Sequence, residues 1–310
     1  MPDKASRGRS LSPDDREPDS PACRHCMPGQ LRTKIISREE VEQLTKLPIL
    51  ADIPFAKNMV ENDRSIVVRA NRNNMMEEAF RGLRTNMNFV LKPGERVVMF
   101  TSCVPGEGKT FVASNLAMSL ALMGKKVIIV GLDVRKPRLI NLFKLKPSKQ
   151  GIVNFLCGND ADYTLLEEQI ISSGINDNMD VLPAGVIPPN PAELLSGTLL
   201  KSAIDYLAAK YDYVILDTPP VGLVADTLAI GHLANVTIFV ARANYSPKST
   251  FELINDIHAN QKLPNCNVVV NSVDFEKPQY GYASGYKKYG YYGMYGTYGQ
   301  SDGEHYRVED

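Results

Sequence analysis

The sequence predicts an α/β protein: a doubly wound, mostly parallel sheet with helices on both faces, followed by a flexible tyrosine-rich C-terminal tail. Three observations predict it. Short apolar, β-branched runs alternate with helical stretches between residues 97 and 270, the pattern of strands buried on both faces and joined by crossover helices. One of those runs leads into Gly106-Glu107-Gly108-Lys109-Thr110 at a helix start, and open α/β sheets bind ligands at the carboxyl ends of their strands. After Asp274 the chain turns abruptly to Gly, Lys, Ser and Tyr, a composition that cannot build a core.

The bulk composition narrows the function classes. Lys plus Arg (35) balances Asp plus Glu (35), so no global field points to nucleic acid as a partner, and phosphate binding must come from a local site. Five scattered cysteines do not make a secreted disulfide scaffold and fit a reducing, cytoplasmic setting. No apolar run approaches the ~18–20 residues of a membrane span, and the N-terminus lacks a signal-peptide core.

Taken in order, residues 1–32 are expected to be a disordered leader, with five prolines in the first 30 positions and almost no apolar periodicity. Cys23-Arg24-His25-Cys26 has the spacing of half a zinc site, but no second close Cys/His pair completes four ligands. Residues 33–276 are the expected folded domain. Ser37 with Glu40 three residues on has the form of a capping box opening a short helix to about Lys46. Met76, Phe80, Leu83, Met87 and Val90 recur at helical spacing over 75–91. Strands are predicted at 97–101, 127–132, 213–216, 236–240 and 267–270, and helices at 109–123, 191–209, 224–234 and 248–261. The stretch 151–187 is less regular, with room for a short helix and a strand.

The chemistry concentrates at three strand ends. Val97–Thr101, the loop from Ser102 to Gly108, and Lys109-Thr110 at a helix start give the strand–loop–helix context of a P-loop. Glycines 106 and 108 let the backbone curl so that N–H groups face phosphates, and the helix N-terminus adds positive charge. The expected nucleotide cradle is Val104, Pro105, Gly106, Glu107, Gly108, Lys109, Thr110 and Phe111. Lys109 would neutralise the β- and γ-phosphates, and the Thr110 hydroxyl would bind Mg²⁺. Cys103 stands where the general pattern has its first glycine. Asp217 ends the run Tyr213-Val214-Ile215-Leu216, in the place of a Walker B carboxylate that holds Mg²⁺. A third strand ends at Asp133, which could face metal or attacking group; the basic cluster Arg135, Lys136 and Arg138 reads equally as a solvated strand end or a phosphate clamp.

With these motifs in hand, the chain resembles the bacterial tyrosine kinases of capsule and exopolysaccharide export. Residues 102–110, Asp133-Val134-Arg135-Lys136-Pro137 and Leu216-Asp217-Thr218-Pro219-Pro220 are similar to that family's Walker A, A′ and B motifs. Glu78, Arg81 and Arg84 match its E-x-x-R-x-x-R oligomerisation motif, and the stretch 188–195 (Pro-Pro-Asn-Pro-Ala-Glu-Leu-Leu) also recurs in it. The resemblance covers roughly residues 35–310. It implies a deviant P-loop NTPase fold, ATP and Mg²⁺ as cofactors, Lys109, Asp133 and Asp217 as catalytic residues, and a ring-like homo-oligomer. It also implies a membrane polysaccharide co-polymerase as activator, a tyrosine phosphatase, and a place at the inner face of the membrane through a partner or a missing upstream domain. The segment 47–54 resembles the stretch just after that domain's last membrane helix.

The implied acceptors are the tail tyrosines of residues 277–310: Tyr280, Tyr282, Tyr286, Tyr289, Tyr291, Tyr292, Tyr295, Tyr298 and Tyr306, nine of the chain's 14. One position departs from the family: Walker A′ usually has two aspartates one residue apart, and Gly131 stands at the first. Weak activity is therefore expected, lost in Asp133→Ala and raised in Gly131→Asp. Two other readings stay open. A partitioning or division-site ATPase would carry a signature lysine five residues before Lys109, where Val104 stands. A catalytically weak, nucleotide-gated scaffold for polysaccharide chain length would tolerate Gly131.

Overall fold

In the computed structural model, residues 33–55, 66–70, 74–146, 148–224 and 226–276 are described; the expected leader with Cys23 and Cys26, and all nine tail tyrosines, lie outside them. Eight strands form one sheet: β1 (Ile49–Pro54), β2 (Val97–Thr101), β3 (Val127–Gly131), β4 (Ile171–Ser172), β5 (Met179–Leu182), β6 (Tyr213–Asp217), β7 (Val236–Arg242) and β8 (Cys266–Val273). Their order is β1-β8-β7-β2-β6-β3-β5-β4. Pairing is parallel except between β4 and β5 at one edge.

The helices are α1 (Arg38–Leu44), α2 (Met75–Val90), α3 (Lys109–Ala121), α4 (Leu139–Leu142), α5 (Ile152–Leu156), α6 (Tyr163–Glu168), α7 (Pro191–Leu195), α8 (Thr198–Lys210), α9 (Asp226–Ile230) and α10 (Thr250–Ala259). Strand side chains alternate between faces, so β2, β3 and β6 feed two cores. Val98, Phe100, Ile129 and Ile215 pack with Phe80, Leu83 and Met87 of α2 and Val112, Leu116 and Leu120 of α3. Met99, Ile128, Val130 and Leu216 lie on the other face with Leu200, Ile204 and Leu207 of α8 and Phe251, Ile254 and Ile257 of α10. Buried on both faces, these strands have no polar side to show, which is why they read as continuous apolar runs.

Local signals hold where the chemistry is local. Ser37 caps α1, accepting from the N–H of Glu40, and the Glu40 carboxylate accepts from the N–H of Ile36 at 2.8 Å. Asn74 caps α2 by accepting from Glu77 N–H at 2.9 Å. Two expected helices are shorter than the sequence suggests. The stretch 191–209 breaks into α7 and α8 at Ser196 and Gly197, and 224–234 is α9 followed by a 3₁₀ turn (Gly231–Leu233). Glycine contributes no side chain to pack in a helix interior, so the chain breaks there.

Strand β1 was not expected. It pairs with β8 at the sheet edge, and Asp52 and Pro54 interrupt the apolar pattern that would announce it. Arg38 of α1 ties it down, donating to Asp52 Oδ2 at 3.4 Å and to the Ile49 carbonyl at 3.1 Å. Asp52 Oδ1 is buried and finds no hydrogen-bond partner among the described residues. Burial therefore outweighs Arg38 and pushes the Asp52 carboxyl up to about 6.

The native protein thus holds the Asp52 proton more tightly than the unfolded chain, and stability from this group is lost as pH rises from about 4 to 6. Asp52→Asn, which does not titrate, should gain up to about 3 kcal/mol relative to wild type across that window and nothing above it. Urea midpoints of both proteins at several pH values between 4 and 8 measure this; a pH-independent difference would show an unshifted carboxyl.

Candidate active site

The sheet order brings three strand ends together. β2 lies beside β6, with Phe100 opposite Asp217, and β6 lies beside β3, with Gly131 opposite Asp217. The carbonyl of Asp217 accepts the N–H groups of both Leu132 (2.9 Å) and Asp133 (3.1 Å), which fixes where the chain leaves β3. The Thr218-Pro219-Pro220 turn is tied to β2 in return: Thr218 Oγ1 donates to the Phe100 carbonyl at 2.9 Å, and Thr101 Oγ1 to the Pro219 carbonyl at 3.0 Å.

At this junction the Lys109 ammonium reaches Asp217 Oδ1 at 3.1 Å and Asp133 Oδ2 at 3.3 Å. Thr110 Oγ1 donates to Asp217 Oδ2 at 2.8 Å, and Lys136 N–H donates to Asp133 Oδ1 at 3.1 Å. Lys109, Asp133 and Asp217 are all buried. Burial alone would lower the Lys109 ammonium, but the carboxylates of Asp217 and Asp133 overcome it and hold it above its ordinary value. Lys109 stays charged.

The loop itself is glycine-dependent at two points. Gly106 (φ +87°) and Gly108 (φ +95°) both lie in the left-handed region, which costs other residues ~1–2 kcal/mol. A Cβ on Gly108 would also stand 2.2 Å from Asn271 Nδ2, which donates to the Glu107 carbonyl at 2.8 Å. Among the described residues no backbone acceptor takes the N–H groups of Gly106, Glu107 or Gly108, so they are free to bind an anion.

Within the expected cradle, the Glu107 carboxylate, the Val104 N–H and the Phe111 ring are engaged elsewhere. The Glu107 side chain turns away into the protein, its carboxylate accepting Val104 N–H at 2.9 Å and the Ser246 hydroxyl. That commits the Val104 N–H. Phe111 packs edge-on against Phe80 of α2, ring centroids 6.1 Å apart. Cys103, at the departed first position, is buried with its thiol pushed up to about 12 by desolvation, an inert packing residue.

Beside the carboxylates lies a cavity of about 210 Å³ lined by Gly131, Asp133, Arg138, Leu139, Ala184 and Asp217 among others. A Cβ on Gly131 would meet Leu139 Cδ1 at 3.1 Å and the Ala184 nitrogen at 3.2 Å. A side chain restored there would need these neighbours to give by a few tenths of an ångström. The basic cluster divides: Arg135 is engaged by buried Asp226 at 2.8 and 3.2 Å, while Lys136 and Arg138 are exposed.

On α2, Arg81 pairs with Glu78 at 2.6 Å, and Arg84 donates to the Ser119 carbonyl at 2.8 Å and hydroxyl at 3.0 Å. The sequence brings none of Arg242, Tyr245, Ser246 or Asn271 to this site. Their signal is positional, polar residues at or just past the carboxyl ends of β7 and β8.

An AAA-domain family model matches residues 95–270. The tyrosine-protein kinase YwqD of Bacillus subtilis is 33% identical over 221 residues, 71% of this chain and 91% of the relative. EpsB of Ralstonia solanacearum is 32% identical over 269 residues, 83% of this chain but 35% of EpsB, so the chain spans about a third of that relative's length. The solved kinase domain of the Escherichia coli tyrosine kinase ETK aligns with a TM-score of 0.66 and 26% identity, over 78% of this chain and 96% of that domain.

Lys109→Met would leave Asp133 and Asp217 as two buried carboxylates with no cation, a loss of about 3–5 kcal/mol by analogy with other broken buried pairs. Burial already pushes the Asp217 carboxyl up, so in the variant the native state takes up protons more readily than the unfolded chain, and the deficit should shrink as pH falls from 7 to 5. Thermal unfolding of the ligand-free variant at both pH values tests this. A deficit that does not change with pH would mean the carboxylates do not depend on Lys109.

Proposed function

Because the chain belongs to the bacterial tyrosine-protein kinase family, we propose that residues 33–276 are an ATP- and Mg²⁺-dependent kinase domain that phosphorylates tyrosines of the 277–310 tail on a neighbouring subunit. The observation that carries the reading is the convergence of Lys109, Thr110, Asp133 and Asp217 behind a glycine-shaped loop. A structural ion cluster would need no such loop.

The residues suit nucleotide and metal. In this reading the N–H groups of Gly106, Glu107 and Gly108, which no backbone acceptor takes among the described residues, and the N-terminus of α3 bind the phosphates. Lys109 can exchange a carboxylate for phosphate oxygens without leaving the site. Thr110 and Asp217 offer hard oxygen donors 2.8 Å apart, and Mg²⁺ typically takes one or two protein oxygens plus phosphates and water. When bound, Mg²⁺ neutralises charge on the phosphates. In this reading Asp133, which lines the cavity with Asp217, takes the proton of an entering phenol once the nucleotide draws Lys109 from it.

The further assignments rest on the family. Helix α2, with Glu78, Arg81 and Arg84, is proposed to join subunits into a ring, which requires Arg84 to keep or trade its Ser119 contact. A membrane co-polymerase as activator, a tyrosine phosphatase and a location at the inner membrane face belong to the same reading, as does a role in capsule or exopolysaccharide synthesis. Among the described residues no helix is long and apolar enough to cross a membrane. The partitioning-ATPase reading lacks its lysine, since the position holds Val104 with its N–H committed to Glu107. The weak-scaffold reading is favoured by Gly131 alone.

Mixing a Lys109→Met chain with an intact tail and an active chain truncated after Asp274 should place phosphotyrosine on the inactive chain's tail. Asp133→Ala in the active partner should cut that signal about 10²-fold or more. Phosphotyrosine immunoblotting and mass spectrometry read both results. No label despite stable co-assembly would overturn transfer between subunits, and full label with Asp133→Ala would remove Asp133 from the chemistry.

A further inference from the structure

We propose that Arg242, the last residue of β7, and Tyr245, in the turn that follows, are positioning residues that set the phosphate-binding shape of the P-loop. The proposal rests on the kinase reading only in requiring a nucleotide at that loop.

The argument starts from the peptide bond. In a planar trans peptide the C=O of one residue and the N–H of the next point in opposite directions, so fixing a carbonyl outward fixes the following N–H inward. Three consecutive carbonyls of the loop are each held by a side-chain donor. Tyr245 Oη donates to the Pro105 carbonyl at 2.8 Å, Arg242 Nη1 to the Gly106 carbonyl at 3.1 Å, and Asn271 Nδ2 to the Glu107 carbonyl at 2.8 Å. The N–H groups so aimed are those of Gly106, Glu107 and Gly108, the same three left without a backbone acceptor among the described residues. Two of the three aiming bonds come from one five-residue turn.

That turn is braced for the task. The Arg242 guanidinium lies 5.2 Å from the Tyr245 ring centroid, a cation–π distance. Ser246 Oγ accepts Arg242 N–H at 2.7 Å and donates to the Glu107 carboxylate on the inner side of the same loop. Asn244 takes the left-handed conformation (φ +60°) that closes the turn, a region Asn adopts more readily than most residues. The fit is close enough to constrain the loop's own sequence: a Cβ on Gly106 would stand 2.9 Å from the Tyr245 hydroxyl oxygen. Gly106 is therefore favoured by its backbone angle, and a side chain there would have to displace the Tyr245 hydroxyl from the Pro105 carbonyl.

Tyr245→Phe removes one donor and keeps the ring and its cation–π contact; Arg242→Ala removes the other donor, and Arg242→Lys returns a cation able to donate. Titration of the full chain with Mg-ADP by calorimetry should show Kd raised about three- to tenfold in Tyr245→Phe and in Arg242→Ala, as expected for one lost hydrogen bond each. Arg242→Lys should recover part of the loss, and the melting temperature of ligand-free Tyr245→Phe should stay close to wild type. A role confined to stability would lower that melting temperature and leave Kd unchanged. Variants that bind Mg-ADP as tightly as a binding wild type overturn the clamp and leave the kinase reading standing, whereas a wild type that binds no Mg-ADP overturns both.

Discussion

One lysine held between two buried carboxylates is the constraint on which the rest of the site depends. Lys109, Asp133 and Asp217 lie almost out of water, where desolvating charges costs several kcal/mol per ion and their mutual attraction does little more than offset it. A fold under selection for stability alone would do as well with apolar residues there. The cluster makes physical sense as a preorganised charge site, in which the dipoles and charges a phosphoryl group needs are already in place before it arrives. Thr110 completes this, because its hydroxyl orients the far oxygen of Asp217 and leaves Lys109 the near one.

The sheet order makes that cluster unavoidable. With β6 inserted between β2 and β3, the last residue of β6 faces the ends of both neighbours, and the single carbonyl of Asp217 takes two N–H groups from the chain leaving β3. Parallel pairing aligns all three carboxyl ends on one side. The lysine then comes from the first residue of α3, whose start is set by Gly108 in the left-handed region. Each part depends on a neighbouring strand for its place, so no single motif builds the site.

This explains which parts were legible in the sequence. Strands β2, β3, β6, β7 and β8 were readable because burial on both faces demands unbroken apolar runs, and the P-loop because its glycines answer a backbone requirement no other residue meets. Strand β1 was not, since Asp52 and Pro54 are tolerated only because β1 is an edge strand covered by α1 and tied by Arg38. The inward turn of Glu107 was equally hidden: the residue lies inside the motif, yet its partner Ser246 is 139 positions away. Arg242 and Tyr245 are 136 and 140 residues from the carbonyls they hold, and only the β2–β7 pairing brings them near.

Gly131 shows how one side chain can trade roles with space. A carboxylate there would add negative charge next to Asp133 and Asp217, which already share one cation, and like charges at close range repel. Without it, Lys109 divides its charge between Asp133 and Asp217, and both carboxylates line the cavity beside it. The cavity's Leu139 and Ala184 approach the place a Cβ would occupy, so a side chain at 131 would need both to give slightly. Gly131 thus trades a third carboxylate for room beside the two that remain.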